Sequence, residues 1–309
     1  MALVTRYKNN PILTRSDIPY EVATVHNAGV TKFNDEYIML FRSHRHNGRS
    51  ILGLARSLDG FEFEADREPF MVPAQTGLFA EYEEYGIEDP RITFLDGEYL
   101  ITYSAYSRQG VRIALAKTKD WQTVDRFSLI TEADYRNVVI FPERFNGLYA
   151  RLDRPHSEIS PWSVWISYSP DLRYWGDSKL IMKPVQYHWD EMKIGPGAPP
   201  IKTGKGWLNI YHGVFPTMDG SVYRLGVALH DLKDPSNIIG VGDNWILQPE
   251  EPYELTGYVH NVVFTCGAVP EDDGTVKIYW GGADTVMCAG TAVIDELVDL
   301  CLTNGRKAV

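Results

Sequence analysis

The sequence predicts an all-β fold, a five-bladed β-propeller built as one domain over residues 1–309. Period-two alternation of Val, Ile, Tyr and Phe recurs along the chain and is broken by turn pairs such as DG and NG. Convincing helical periodicity is scarce. Five degenerate units, each of three or four short strands, follow one another at the spacing of propeller blades. A pair of β-sandwiches is the alternative architecture, but it does not call for five similar units.

Each unit opens with a strand pair and continues into a third strand. The first reads NAGVTKFNDEYIMLFRS, then SILGLARSLDGFEFE. The second reads EDPRITFLDGEYLITYSAYS, then VRIALAKTKDWQTV. The third reads NVVIFPERFNGLYARLDRP, then WSVWISYSPDLRYWGD. The fourth reads GAPPIKTGKGWLNIYHGV, then YRLGVALHDLKDPSNII. The fifth reads HNVVFTCGAVPEDDGTVKIYWGGAD, then TVMCAGTAVI. Anchors at Gly29, Arg91, Val139, Pro199 and Val262 lie 62, 48, 60 and 63 residues apart. The tails ARSLDGFEF, AKTKDWQTV and SYSPDLRYW each predict a third strand, an Asp-containing turn and an outer fourth strand. The best helical segment is 291–302 (TAVIDELVDLCL), mixed with strand, and 81–85 suits a short helical turn. No Pro/Ser-rich linker divides the units.

The composition, 44% hydrophobic and 23% charged, is that of a soluble globular chain. No apolar run approaches the roughly 20 residues needed to span a bilayer. MALVTRYKNNPIL lacks the apolar core of a signal peptide. Cys266, Cys288 and Cys301 form no CxxC pattern, so they are expected to be reduced thiols in a cytoplasmic protein. The net charge of −11 argues against nucleic acid and anionic membrane as partners. It also makes any local cluster of cations informative. The sequence leaves a homo-oligomer open, through the N-terminal arm or the C-terminal segment.

In a propeller the innermost strands of all blades converge on one pocket. The polar residues expected at that end form a coherent set. Unit one offers Asn27 and Arg42. Unit two offers Glu88, Asp89, Arg91 and Tyr106. Unit three offers Arg136, Asn137, Arg151 and Arg154. Unit four offers Lys193 and His212. Unit five offers His260, Asn261 and Asp284. Clustered Arg and Lys favour an oxyanion such as phosphate, because the guanidinium fork matches two oxygens. A carboxylate beside them suits a general acid.

Each of these residues also has a plainer reading. Asp89 before Pro90 suits a turn cap. Arg136 and Arg154 suit a charged surface. Lys193 suits an ion pair with Asp190 or Glu191, and His212 a satisfied core position. His44 and His46 read as a solvated loop rather than metal ligands. GPGAPP lacks the residues of a nucleotide loop, and YHWDEM lacks the second histidine of a zinc protease. Trp162, Trp165, Trp175 and Trp189 read as core or rim aromatics.

Taken together, GIEDPRI, VVIFPERFNGLYARLDRP with its flanking arginines, DEMKIGPGAPP, IYHGV and GGAD resemble glycoside hydrolase family 130. The resemblance runs from Asn27 to Asp284, with motifs in every unit and in order. It implies a mannoside phosphorylase on a five-bladed propeller. By position, it implies Asp89 as the general acid and Arg136, Asn137, Arg154, Lys193 and His212 around phosphate. It also implies Asn27, Arg42, Tyr223 and Asp284 around the mannosyl ring. Phosphate is then a co-substrate, and neither cofactor nor metal is expected. Hydrolytic members of the family lose the phosphate-binding cations, which this sequence keeps. An inverting glycosidase normally needs an acid and a base, whereas phosphate is already an anionic nucleophile and needs no base.

Two other functions fit the same residues. A β-mannosidase would use water, with Glu88 or Asp284 as base. A propeller lectin would bind saccharide without turnover. The linkage stays open among β-1,4-mannosyl-glucose, β-1,4-mannooligosaccharides and β-1,2-mannosides. Loops 43–50, 71–85 and 215–223 are expected to shape the acceptor side.

Overall fold

Antiparallel strands make up nearly all of the regular structure. The computed structural model describes residues 3–303 and 305–308. A short N-terminal strand β1 (Thr5–Arg6) precedes five meanders. The first holds β2 (His26–Phe33), β3 (Glu36–His44), β4 (Ser50–Ser57) and β5 (Glu64–Ala65). After helix α1 (Gly77–Tyr82), the second holds β6 (Gly86–Leu95), β7 (Glu98–Ser107), β8 (Gly110–Thr118) and β9 (Asp125–Leu129). The third holds β10 (Tyr135–Phe145), β11 (Leu148–Pro155), β12 (Val164–Ser169) and β13 (Gly176–Met182). The fourth holds β14 (Lys193–Pro196), β15 (Ile201–Lys202), β16 (Trp207–Thr217), β17 (Gly220–His230) and β18 (Ile238–Gly242). Helix α2 (Pro252–Leu255) leads to the fifth, β19 (Val263–Pro270), β20 (Thr275–Gly282) and β21 (Val286–Val293). Helix α3 (Ile294–Thr303) and strand β22 (Gly305–Arg306) end the order.

Hydrogen bonding groups these strands into four sheets. The largest contains the first two meanders, whose strand ladders are joined by a parallel pairing of Ser50 with Gly86. The first strands of the meanders pack side by side: β2 against β19 and β6, β6 against β10, and β10 against β14. Such strands are covered on both faces and read as continuous apolar or small runs rather than alternating ones. In β6 only Phe94 is exposed. Aromatic wedges fill the space between meanders. Phe141 of the third lies edge-on to Trp207 of the fourth, with ring centroids 5.6 Å apart. Burying each such side chain contributes about 1.5–3 kcal/mol.

The expected Asp-containing turns are present as one repeated device. Asp59 Oδ1 accepts from the backbone N–H of Phe61 and Glu62, at 2.8 and 2.9 Å. Asp120 does the same for Gln122 and Thr123, and Asp171 for Arg173 and Tyr174. Two residues earlier, the hydroxyls of Ser57, Thr118 and Ser169 accept from Gly60, Trp121 and Leu172. The S/T-x-D pattern therefore stops the third strand and turns the chain by satisfying its free N–H groups.

Other expectations change. Residues up to Val293 are strand, and the helix starts at Ile294. The helical turn expected at 81–85 lies at Gly77–Tyr82. The fourth meander starts at Lys193, not near Pro199. Pro199 and Pro200 lack N–H donors, so the strand facing β16 is split in two. The outer strand of the fifth meander is β1, from the other end of the chain, paired with β21. Cys266, Cys288 and Cys301 are buried and free. Among the described residues no helix is long and apolar enough to cross a membrane.

Candidate active site

The first strands of three meanders carry the same local irregularity. Their pairing slips between His26 and Gly29, between Glu88 and Arg91, and between Arg136 and Val139. Inside each slip one residue adopts a left-handed conformation: Asn27, Asp89 and Asn137, with φ of 50°, 52° and 59°. Asn and Asp tolerate this region far better than other non-glycine residues. A bulge with such a residue re-aims a side chain that a regular strand would direct elsewhere. Asp284, at the end of β20, has φ of 49°.

These side chains line one cavity of about 340 Å³ with Arg42, Arg136, Arg154, Lys193, His212 and Tyr223. That volume is within the range of about 300–1,000 Å³ common for small-molecule sites. All ten residues that the family resemblance assigns to the site thus line this one cavity. The wall is completed by Trp162, Val259, Val262 and Phe264.

One side of the cavity is a carboxylate set into paired donors. Asp89 Oδ1 accepts from Asn27 Nδ2 at 3.0 Å and from Arg42 Nη1 at 2.9 Å. Arg42 Nη2 also reaches Glu88 Oε1 at 2.8 Å. Arg91 lies beneath, tied to the carbonyls of Gly197 at 2.8 Å and Asp89 at 2.9 Å. Burial pushes the Asp89 carboxyl up, but Arg42, Arg91 and the Asn27 amide outweigh it and hold it well below the usual range. Asp284 goes the other way. Burial, with Asp89 and Glu88 nearby, pushes it up to about 6 against the pull of Arg42.

The opposite side is cationic and short of anions. His212 Nε2 accepts from Arg154 Nη1 at 3.0 Å and faces Asn137 Nδ2 at 3.4 Å. That places the ring hydrogen on Nδ1, and burial among Arg154, Arg91 and Lys193 keeps the imidazole neutral. Lys193 Nζ and the Arg154 guanidinium both lie over the Trp162 ring, at 5.0 and 5.2 Å. Lys193 also lies 5.2 Å from the Tyr223 ring centroid. Among the described residues neither cation has a carboxylate within salt-bridge distance. Burial and mutual repulsion push Lys193 down to about 8, and burial pushes Arg154 down to about 10. Arg136 is more exposed, 3.7 Å from Glu88 Oε2.

Residues 4–303 match the family model described as beta-1,4-mannooligosaccharide phosphorylase. The chain belongs to glycoside hydrolase family 130. Within family 130 it is 36% identical to a 1,2-beta-oligomannan phosphorylase of Thermoanaerobacter sp. strain X514, over 96% of this chain and 98% of that one. It is 32% identical to a beta-1,2-mannobiose phosphorylase of Listeria innocua serovar 6a, over 96% and 97%. The solved structure of a Listeria innocua beta-1,2-mannobiose phosphorylase with beta-1,2-mannobiose superposes with a TM-score of 0.89, covering 96% of this chain and 99% of that one.

Other residues read from the sequence fall elsewhere in this family 130 chain. Arg151 is a buried structural ion pair with Asp153 at 2.9 Å. His260 is exposed and absent from the cavity lining. Tyr106 stands at the rim, 6.0 Å from the Arg136 guanidinium. Lys193 is not paired with Asp190 or Glu191; Asp190 is held by other groups. His44 Nε2 accepts from Arg42 Nη2 at 2.9 Å, and burial with Arg42 nearby pushes the imidazole down to about 4. Among the described residues no group of three His, Cys, Asp or Glu is arranged to hold a metal ion. Phe264 was not anticipated, because an apolar residue in a core-like strand carries no polar signal.

Proposed function

We propose that the protein cleaves β-mannosides with inorganic phosphate, inverts the anomeric centre and yields α-mannose 1-phosphate with a shortened acceptor. The observation that carries this reading is the pair Arg154 and Lys193. Arg154 is buried and Lys193 partly buried, both face the cavity, and among the described residues neither has a carboxylate partner. Desolvated cations of this kind demand an anion, and phosphate meets the demand with charge-assisted bonds. Arg136, Asn137 and His212 complete the phosphate side, His212 by orienting Arg154. Asn27, Arg42, Tyr223 and Asp284 hold the mannosyl ring.

Asp89 donates the proton to the leaving sugar, directly or through a mannose hydroxyl. Arg42 and Arg91 favour its ionised form. A phosphate dianion bound nearby opposes those cations and raises the carboxyl toward its protonated form. Phosphate therefore serves twice, as the nucleophile held in line and as the charge that loads the acid.

The five meanders, with their first strands side by side, support a five-bladed propeller forming a single domain, its channel lined by β2, β6, β10, β14 and β19. For the linkage, β-1,2 is favoured. The 1,2-beta-oligomannan and beta-1,2-mannobiose phosphorylases are 32–36% identical to this chain. The beta-1,4-mannooligosaccharide phosphorylase of Ruminococcus albus is 31% identical. The test is incubation with β-1,2- and β-1,4-mannobiose, each with and without phosphate. Formation of α-mannose 1-phosphate from the β-1,2 substrate supports the reading. Mannose release at an equal rate without phosphate overturns it in favour of a hydrolase.

A further inference from the structure

We infer that Arg306, on the strand β22 that follows α3, is a positioning residue for the phosphate side of the site, acting through Asp190. The inference rests on the phosphate reading of Lys193 and His212. Strand β22 pairs with β18, Arg306 opposite Val241, and the amide of Lys183 donates to Ala308 O at 3.1 Å. This clasp carries the Arg306 guanidinium onto Asp190, where Nη2 donates to Oδ2. The same nitrogen lies 3.4 Å from Tyr211 Oη.

Asp190 is fully buried. Its other contacts are Tyr211 Oη, donating at 3.1 Å, and His188 Nδ1 at 2.9 Å. A buried carboxylate is tolerated when it is paired and hydrogen-bonded, and removing its cation leaves an uncompensated charge. Arg306 leaves its own Nε and Nη1 without a partner among the described residues. An arginine that uses so few of its donors is better explained by its charge on Asp190 than by its packing.

Asp190 matters because of where it sits in the chain. Three residues later Lys193 enters the cavity, and Tyr211 is the neighbour of His212 on β16. Side chains alternate along a strand, so Tyr211 and His212 face opposite ways from one backbone. The Trp189–Asp190 segment is seated in a recess made by two glycines. A Cβ on Gly213 would lie 2.3 Å from Asp190 Cβ and 2.4 Å from the Trp189 ring. One on Gly226 would lie 2.7 Å from the same ring. Trp189 in turn stacks on Tyr211, with centroids 5.7 Å apart. Arg306 thus locks, from behind, the segment that aims Lys193 and the strand that aims His212. Among the described residues the mannosyl side of the cavity, Asn27, Arg42, Asp89 and Asp284, makes no hydrogen bond or ion pair with this clasp.

The test titrates inorganic phosphate into the full chain by calorimetry and measures phosphorolysis against both substrates. R306Q is expected to weaken phosphate binding about tenfold, for a shift smaller than the ~1 Å that costs about a hundredfold. The KM for the mannoside is expected to stay unchanged, and R306K to recover most of the loss. Y211F, which keeps Arg306, is expected to shift phosphate affinity in the same direction by less. Wild-type phosphate affinity in folded R306Q and Y211F overturns the inference. Equal losses for phosphate and mannoside also overturn it, since they mark a general structural role. A failure of the phosphate reading itself is distinguishable, because the unaltered protein would then bind no phosphate and release mannose into water.

Discussion

Asp89 and Lys193 show how burial sets the chemistry of single residues in opposite ways. Asp89 has two strong donors on one oxygen, so Asp89→Asn removes the proton source while keeping the size of the side chain. It is expected to lower kcat by about 10²–10⁴-fold with a much smaller change in mannoside KM, measured by steady-state kinetics. Lys193 is charged only below about 8. For a lysine the charged form is lost as pH rises, so kcat/KM for phosphate is expected to hold near neutrality and fall as pH climbs through about 8. Lys193→Arg is expected to move that limb to higher pH, because guanidinium stays protonated. A pH profile unchanged by the substitution assigns the limb to another group. The polar residues were legible in the sequence because cations next to apolar strands stand out in an acidic chain. Phe264 and Val259 were not, because their chemistry is that of any core.

At the scale of the strand, the bulges do the aiming. Asn27, Asp89 and Asn137 occupy matching left-handed positions at the starts of β2, β6 and β10. The sequence shows Asn, Asp and Asn before apolar runs, but the slip in pairing is a property of two strands together. Close backbone approach protects this geometry. A Cβ on Gly281 would sit 2.3 Å from Asn27 Oδ1. Gly281→Ala is therefore expected to displace Asn27 from Asp89, lower kcat about tenfold and cost about 1–3 kcal/mol of stability, read from kinetics and urea midpoints. The S/T-x-D turns are a separate, purely structural device. Asp120→Ala is expected to lower the urea midpoint slightly and leave kcat unchanged, since Asp120 caps an exposed turn and does not line the cavity.

At the scale of the whole molecule, the chain termini fasten the last two meanders. Strand β1 completes the fifth, and Arg6 Nη2 donates to the buried Glu254 at 2.8 Å. Glu254 also accepts from Trp280 Nε1 at 3.1 Å. Arg6→Ala leaves this carboxylate without its cation and is expected to cost about 3 kcal/mol, seen as a lower denaturant midpoint with kcat preserved. A variant as stable as the parent assigns the clasp no energetic role. By itself the sequence determined the all-β class, the repeat of strand, turn and outer strand, and the order of the family 130 motifs, since these depend on local periodicity and turn chemistry. Only the tertiary structure decided how bulges aim Asn27, Asp89 and Asn137 into the cavity, and that β1 and β22 close the fifth and fourth meanders. Contacts such as Thr5 with Thr291 and Val241 with Arg306, far apart in the chain, leave no period or spacing to read. They follow from how the meanders pack, which is where burial strips Arg154, and in part Lys193, of water and leaves them needing an anion.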